Sequence, residues 1–117
     1  MIRVIEDHVP QYPDPVRGRA GERWRLGHAD DEYPGWIWST DLAGRSGWAP
    51  ISAFVRDGDF GVLLHDYEAT ELDARAGEMV DAERELGGWW WCHGPRGAGW
   101  LPAAKLGFGA RRDGAVA

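Results

Sequence analysis

One cysteine, Cys92, stands in 117 residues, so no internal disulfide can form. Serine is scarce as well: only Ser39, Ser46 and Ser52 occur. No nucleophile elbow, phosphate-cradling loop or paired-carboxylate motif is present. The four histidines, His8, His28, His65 and His93, are too scattered for a metal-ligand pattern. These gaps argue against an enzyme and imply neither cofactor nor metal. No apolar run approaches the roughly 18 residues of a membrane span. Residues 1–7 lack the long apolar stretch of a signal peptide. A cytoplasmic location with no membrane partner is therefore expected. Positive charge is also in short supply, with 13 basic against 19 acidic residues and a formal net charge of −6. Nothing resembles a basic nucleic-acid footprint, so no nucleic acid is expected either. Most of the acidic excess lies in the second half, where residues 57–117 carry net −5 against −1 for residues 1–56. Such a surface suits a cationic partner as well as solubility.

What the chain does have is glycine (17), proline (7) and eight tryptophans. That much glycine and proline opposes helix, and that many aromatics oppose disorder. The landmarks come in duplicate. Arg19-Ala20-Gly21-Glu22 recurs as Arg75-Ala76-Gly77-Glu78, Gly35-Trp36-Ile37-Trp38 as Gly88-Trp89-Trp90-Trp91, and Gly47-Trp48-Ala49-Pro50 as Gly99-Trp100-Leu101-Pro102. Three landmarks repeated in order mark two copies of one unit, with the seam near Val55–Asp59. The expected division is 1–56, 60–108 and a loose tail over 109–117.

Each copy opens on a short apolar run, Val4-Ile5 or Val62-Leu63-Leu64, followed by a polar, turn-rich stretch. Then apolar and polar residues alternate, as in Arg23-Trp24-Arg25-Leu26 and Met79-Val80-Asp81-Ala82, which is the period of a half-buried strand. The Trp-rich stretches supply the next strands, and Gly44–Gly47 and Pro95–Gly97 the hairpin turns. Short strands at regular spacing with glycine-rich turns predict an all-β chain of small barrels or sandwiches.

The ordered set resembles the Src-homology 3 (SH3) domain in a tandem, bacterial-type form, over about residues 2–108. Leu63-Leu64-His65-Asp66-Tyr67-Glu68-Ala69 is similar to the family's opening signature, and Val4–His8 occupies that position in the first copy. Gly88-Trp89-Trp90 and Gly99-Trp100-Leu101-Pro102 are similar to its later landmarks. The resemblance implies two tandem SH3-like five-stranded barrels with one aromatic groove each. It places Tyr67, Trp89, Trp100 and Pro102 in the groove of the second copy. Trp36, Trp48 and Pro50 are their counterparts in the first. Trp24, Leu26, Val80, Leu101 and Leu106 are implied to be core, and Cys92 a buried small residue. Glu68, Glu71 and Asp73, with Asp30, Asp31 and Glu32 in the first copy, are candidates to meet a basic residue of the ligand. Trp38 and Trp91 are expected to pack within the barrels.

A trough of Trp, Tyr and Pro offers rigid apolar area with indole donors at its rim, and it suits an extended peptide that loses little entropy on docking. The sequence thus points to a non-catalytic module that recruits a peptide or protein surface, with a basic residue favoured in the ligand. The alternative is a structural or regulatory assembly subunit whose grooves are buried against each other or a second copy. A cell-wall fragment as ligand fits less well without a signal peptide.

Overall fold

The structure is a computed structural model that describes residues 1–108; the segment 109–117, expected to be a loose tail, lies outside the described residues. The elements of residues 1–107 are eleven strands and two single 3-10 turns, so this part of the chain is all-β. No helix among the described residues is long and apolar enough to cross a membrane. The chain divides into two compact units, but not at the expected seam. One is continuous, Tyr12–Thr70; the other is split, joining Met1–Gln11 to the chain from Glu71 onward. The division 1–56 and 60–108 is therefore corrected, because the opening strands of the two repeats are exchanged.

The continuous unit contains β2 (Arg17–Gly18), β3 (Arg23–Ala29), β4 (Trp36–Thr40), β5 (Ser46–Pro50), β6 (Phe54–Asp57), β7 (Phe60–Leu63) and β8 (Tyr67–Glu68). Five of them form an antiparallel sheet in the order β5-β4-β3-β7-β6, and β2 pairs with β8. The split unit has β1 (Ile2–Arg3), β9 (Met79–Leu86), β10 (Trp89–Gly94) and β11 (Gly97–Pro102), in the order β1-β9-β10-β11. Two five-stranded barrels were expected. Among the described residues no sheet closes into a barrel by continuous pairing; the split unit's sheet has four strands, and Leu106 meets Val4 only through an isolated bridge.

The exchange is visible bond by bond. Val4 N–H donates to the Glu78 carbonyl (2.8 Å) and accepts from Gly77 N–H (2.7 Å). In the continuous unit Leu63 N–H donates to the Glu22 carbonyl (2.9 Å) and accepts from Gly21 N–H (2.8 Å). Val4 thus serves the second repeat's landmark, and Leu63 the first's. His8 exchanges two backbone bonds with Ala74, as Tyr67 pairs with Gly18. The rest of the repeat is reproduced in place. Pro50 and Pro102 precede the two 3-10 turns at nearly the same backbone angles. Ile51 N–H donates to the Gly35 carbonyl and Ala103 N–H to that of Gly88. Both glycines sit at positive φ, 92° and 89°, a conformation that side chains with a Cβ rarely adopt.

Each unit buries its own core on the inward side of the alternating strands. In the continuous unit Trp24, Leu26, Ile37, Ala49, Phe54 and Leu63 are buried, with the Trp24 ring 5.7 Å from Phe54 and 6.4 Å from Tyr67. The Trp24 indole N–H reaches Glu22 Oε1 at 3.1 Å, which satisfies its polar edge. In the split unit Val4, Leu72, Ala74, Val80, Cys92, Leu101 and Leu106 form the core, with Trp90 and Phe108 packed against it. The residues expected as core from the family resemblance are buried.

Candidate binding faces

Opposite each core, the strands carry a second aromatic layer. In the continuous unit, β4 sends Ile37 and Ser39 inward and leaves Trp36, Trp38 and Thr40 half-buried on the other side. Successive strand residues point to opposite faces, so Trp36 and Trp38 must share one. Their partners across the pair are Pro50 and Trp48: Trp36 is opposite Pro50, and Trp38 opposite Trp48. The Trp38 and Trp48 rings meet edge to face at 5.1 Å. His28 stacks on Trp38 at 6.3 Å and meets Trp48 edge-on at 5.4 Å. The Tyr12 ring lies edge-on to Trp38 at 6.3 Å. The Tyr67 hydroxyl donates to the Trp48 carbonyl at 3.3 Å.

The split unit repeats this layer at the same register. Trp89 is opposite Pro102, and Trp91 opposite Trp100. The second pair again meets edge to face, at 5.3 Å, and the Arg84 guanidinium lies 5.6 Å from the centre of the Trp100 ring. Where the continuous unit has Tyr67, this unit has His8. Its ring is edge-on to Trp89 at 5.8 Å. His8 is only 5% exposed and sits in a polar chain: Nε2 is 2.6 Å from Glu71 Oε1, and Lys105 Nζ is 3.0 Å from Nδ1. An ammonium can only donate, so Nδ1 accepts and Nε2 carries the proton that is donated to Glu71. Lys105 is held in turn by the Asp7 carbonyl at 3.0 Å and by Glu6 at 3.7 Å.

The expected site residues are regrouped by the strand exchange. Trp89, Trp100, Pro102 and Glu71 belong to the split unit, but Tyr67 does not; it lies in the continuous unit with Trp36, Trp48 and Pro50. Trp100 is 4% exposed, where a groove-facing position was expected, with Trp91 and Arg84 against its ring. Tyr67 (5% exposed) and Pro50 are also buried. Glu71 is engaged by His8 and nearly covered, and Asp73 is exposed but already paired with Arg75. Glu68, expected beside the second groove, lies in the continuous unit. Trp38 and Trp91, expected as barrel packing, belong to the outward layer with Trp36 and Trp89. Strand alternation alone carries that information. Tyr12, His28 and Arg84 had no motif to announce them.

In the continuous unit the link between β3 and β4 carries the acids. Asp30 is folded into the turn, accepting from the amides of Glu32 (2.8 Å) and Tyr33 (3.2 Å), while Asp31 and Glu32 are exposed on the link that leads to Trp36. Two other titratable groups have structural roles. Burial pushes the Asp41 carboxyl up, but hydrogen bonds from the Arg45 guanidinium and the Arg17 and Arg45 amides outweigh it and hold its pKa below the ordinary 3.8. Burial pushes the Cys92 thiol up to about 11, which makes it a poor nucleophile at neutral pH. Cys92 is buried and its neighbour His93 exposed, as strand alternation requires. Among the described residues no group of His, Cys, Asp or Glu is arranged to hold a metal ion.

Comparison with family models, with curated proteins and with solved structures finds no match to this chain.

Proposed function

We propose that the chain is a non-catalytic binding module of tandem SH3-like units, which recruits an extended peptide or a protein surface through its outward aromatic layers. The observation that carries this reading is the duplicated pairing of Trp with Trp and Trp with Pro on the side of each sheet away from its core. The cores are filled by Ile37, Trp24 and their counterparts, so the second aromatic layer is not needed to close them. Half-buried indoles arranged in a row present rigid area and N–H donors, the features enriched at interaction hot spots. Asp31 and Glu32, exposed on the link between β3 and β4, favour a ligand with a basic residue, and they move that preference to the continuous unit. A cytoplasmic setting is consistent with this role.

A titration of the full chain with a synthetic proline-rich peptide ending in arginine tests the reading. Shifts of the Trp36, Trp38 and Trp48 indole resonances, weakened by Asp31→Lys with Glu32→Lys, support it. A second reading, an assembly subunit whose layers close against another copy, draws on the half-open apolar surface of Trp36, Trp38, Trp89 and Trp91. A silent titration of a chain that sediments as a stable dimer would favour that one.

A further inference from the structure

The two aromatic layers share a scaffold but differ in the charge beside them. We infer that the layer of the split unit takes an extended ligand segment carrying a carboxylate, and that Arg84 selects it. This rests on the binding-module reading above and assigns that unit a ligand class of its own.

Arg84 stands on β9 directly opposite Trp91, is exposed, and lies over the Trp100 ring. Among the described residues it forms no ion pair, although acids surround it in sequence. Each of those acids has another partner: Glu83 is 2.7 Å from His93 Nε2, and Glu85 accepts from the Gly88 amide at 2.8 Å. Glu71, at the far side of the layer, is bound to His8. The other cation nearby, Lys105, is held by His8, Asp7 and Glu6. Arg84 is therefore the cation beside Trp91 and Trp100 that no carboxylate pairs with among the described residues. A guanidinium drawn towards an indole face keeps its N–H edge available, and that edge matches a carboxylate in a two-bond geometry.

The continuous unit lacks this device. His28 occupies the equivalent place against Trp38 and Trp48. Its two arginines on the same strand, Arg23 and Arg25, turn instead to the Phe60 ring at 4.4 and 5.5 Å. The exposed charges of that unit on the link between β3 and β4 are instead the acids Asp31 and Glu32. One chain then presents two layers of the same build with opposite charge preference.

The test uses the full chain and two synthetic probes, a proline-rich peptide with glutamates and its lysine counterpart. Indole resonances and affinity are followed for each. The glutamate probe is expected to shift Trp89 and Trp91, and Arg84→Glu to weaken it at least tenfold while the lysine probe still binds. Arg84→Lys, which keeps the charge but not the fork, is expected to fall between. Thermal melts check that each variant folds. If the lysine probe binds and the glutamate probe leaves Trp89 and Trp91 unmoved, or if Arg84→Glu binds the glutamate probe as tightly as the parent, the inference is overturned while the module reading stands. If neither probe binds, both fail.

Discussion

The Leu63 amide donates to the Glu22 carbonyl at 2.9 Å, tying the opening strand of the second repeat into the unit built on the first. Val4 makes the matching bond to Glu78 at 2.8 Å. The units of folding are therefore not the units of repetition. A fragment spanning 12–70 contains every strand of the continuous unit, whereas 1–56 loses β7, which pairs with both β3 and β6. The fragment 12–70 is expected to give a dispersed amide spectrum and a cooperative melt, and 1–56 neither. A folded 1–56 would show that the exchange is not required.

Asp41 organises the turn between β4 and β5. Its carboxylate accepts from the amides of Arg17 (3.1 Å), Ala43 (3.0 Å) and Arg45 (2.9 Å) and from Arg45 Nε (2.7 Å). Removing a buried charged acceptor with several donors costs about 1–3 kcal/mol, so Asp41→Asn is expected to destabilise by that amount at pH 7. The sign of the pH effect follows from the lowered folded-state pKa. The contribution is full above the unfolded value near 3.8 and is lost as pH falls through the lower folded value. The gap between parent and variant in urea melts should then narrow below about pH 4. A constant gap across that range would exclude the carboxylate as its source.

Gly47 and Gly99 hold the same landmark position but not the same space. A Cβ on Gly99 would lie 2.6 Å from the Leu72 amide nitrogen and 2.7 Å from the Glu71 carbonyl carbon, both backbone atoms. A Cβ on Gly47 would meet only Val16 methyls at 3.6 Å, an ordinary contact. Gly99→Ala is expected to cost at least about 1–3 kcal/mol, the usual range for overpacking, and Gly47→Ala less than about 1 kcal/mol. Equal effects in chemical denaturation would mean that the backbone approach at Gly99 is not a constraint.

Much of this fold was legible in residues 1–108. Doubled glycine–tryptophan landmarks marked the strands and turns, alternation marked the half-buried strands around Trp24 and Val80, and the family resemblance implied that Trp24, Leu26 and Val80 are core. The pairing of the opening strands was not legible. Val4-Ile5 and Val62-Leu63-Leu64 are both short apolar runs that satisfy the same backbone groups, so either repeat can accept either strand. Sequence order favours the nearer one, and only long-range pairing decides. That single ambiguity also misplaced Tyr67, which travels with its strand to Trp48. Trp38 and Trp91 were legible from period two alone: a residue two positions from an outward tryptophan points outward. The cover on Trp100 was not, because Arg84 reaches it from a neighbouring strand with no motif of its own.

The central claim is that the second aromatic layer serves binding while Trp24 serves the fold. Paired measurements of thermal stability and peptide affinity on Trp36→Ala, Trp89→Ala and Trp24→Ala test it most directly. The layer variants are expected to melt within a few degrees of the parent. Each should lose roughly thirtyfold or more in affinity for the ligand of its own unit, the usual cost of truncating an aromatic hot spot. Trp24→Ala, which empties a fully buried site, is expected to cost about 3–5 kcal/mol of stability. Layer variants that unfold as readily as Trp24→Ala would show that these indoles are structural, and the binding reading of the aromatic layers would fall.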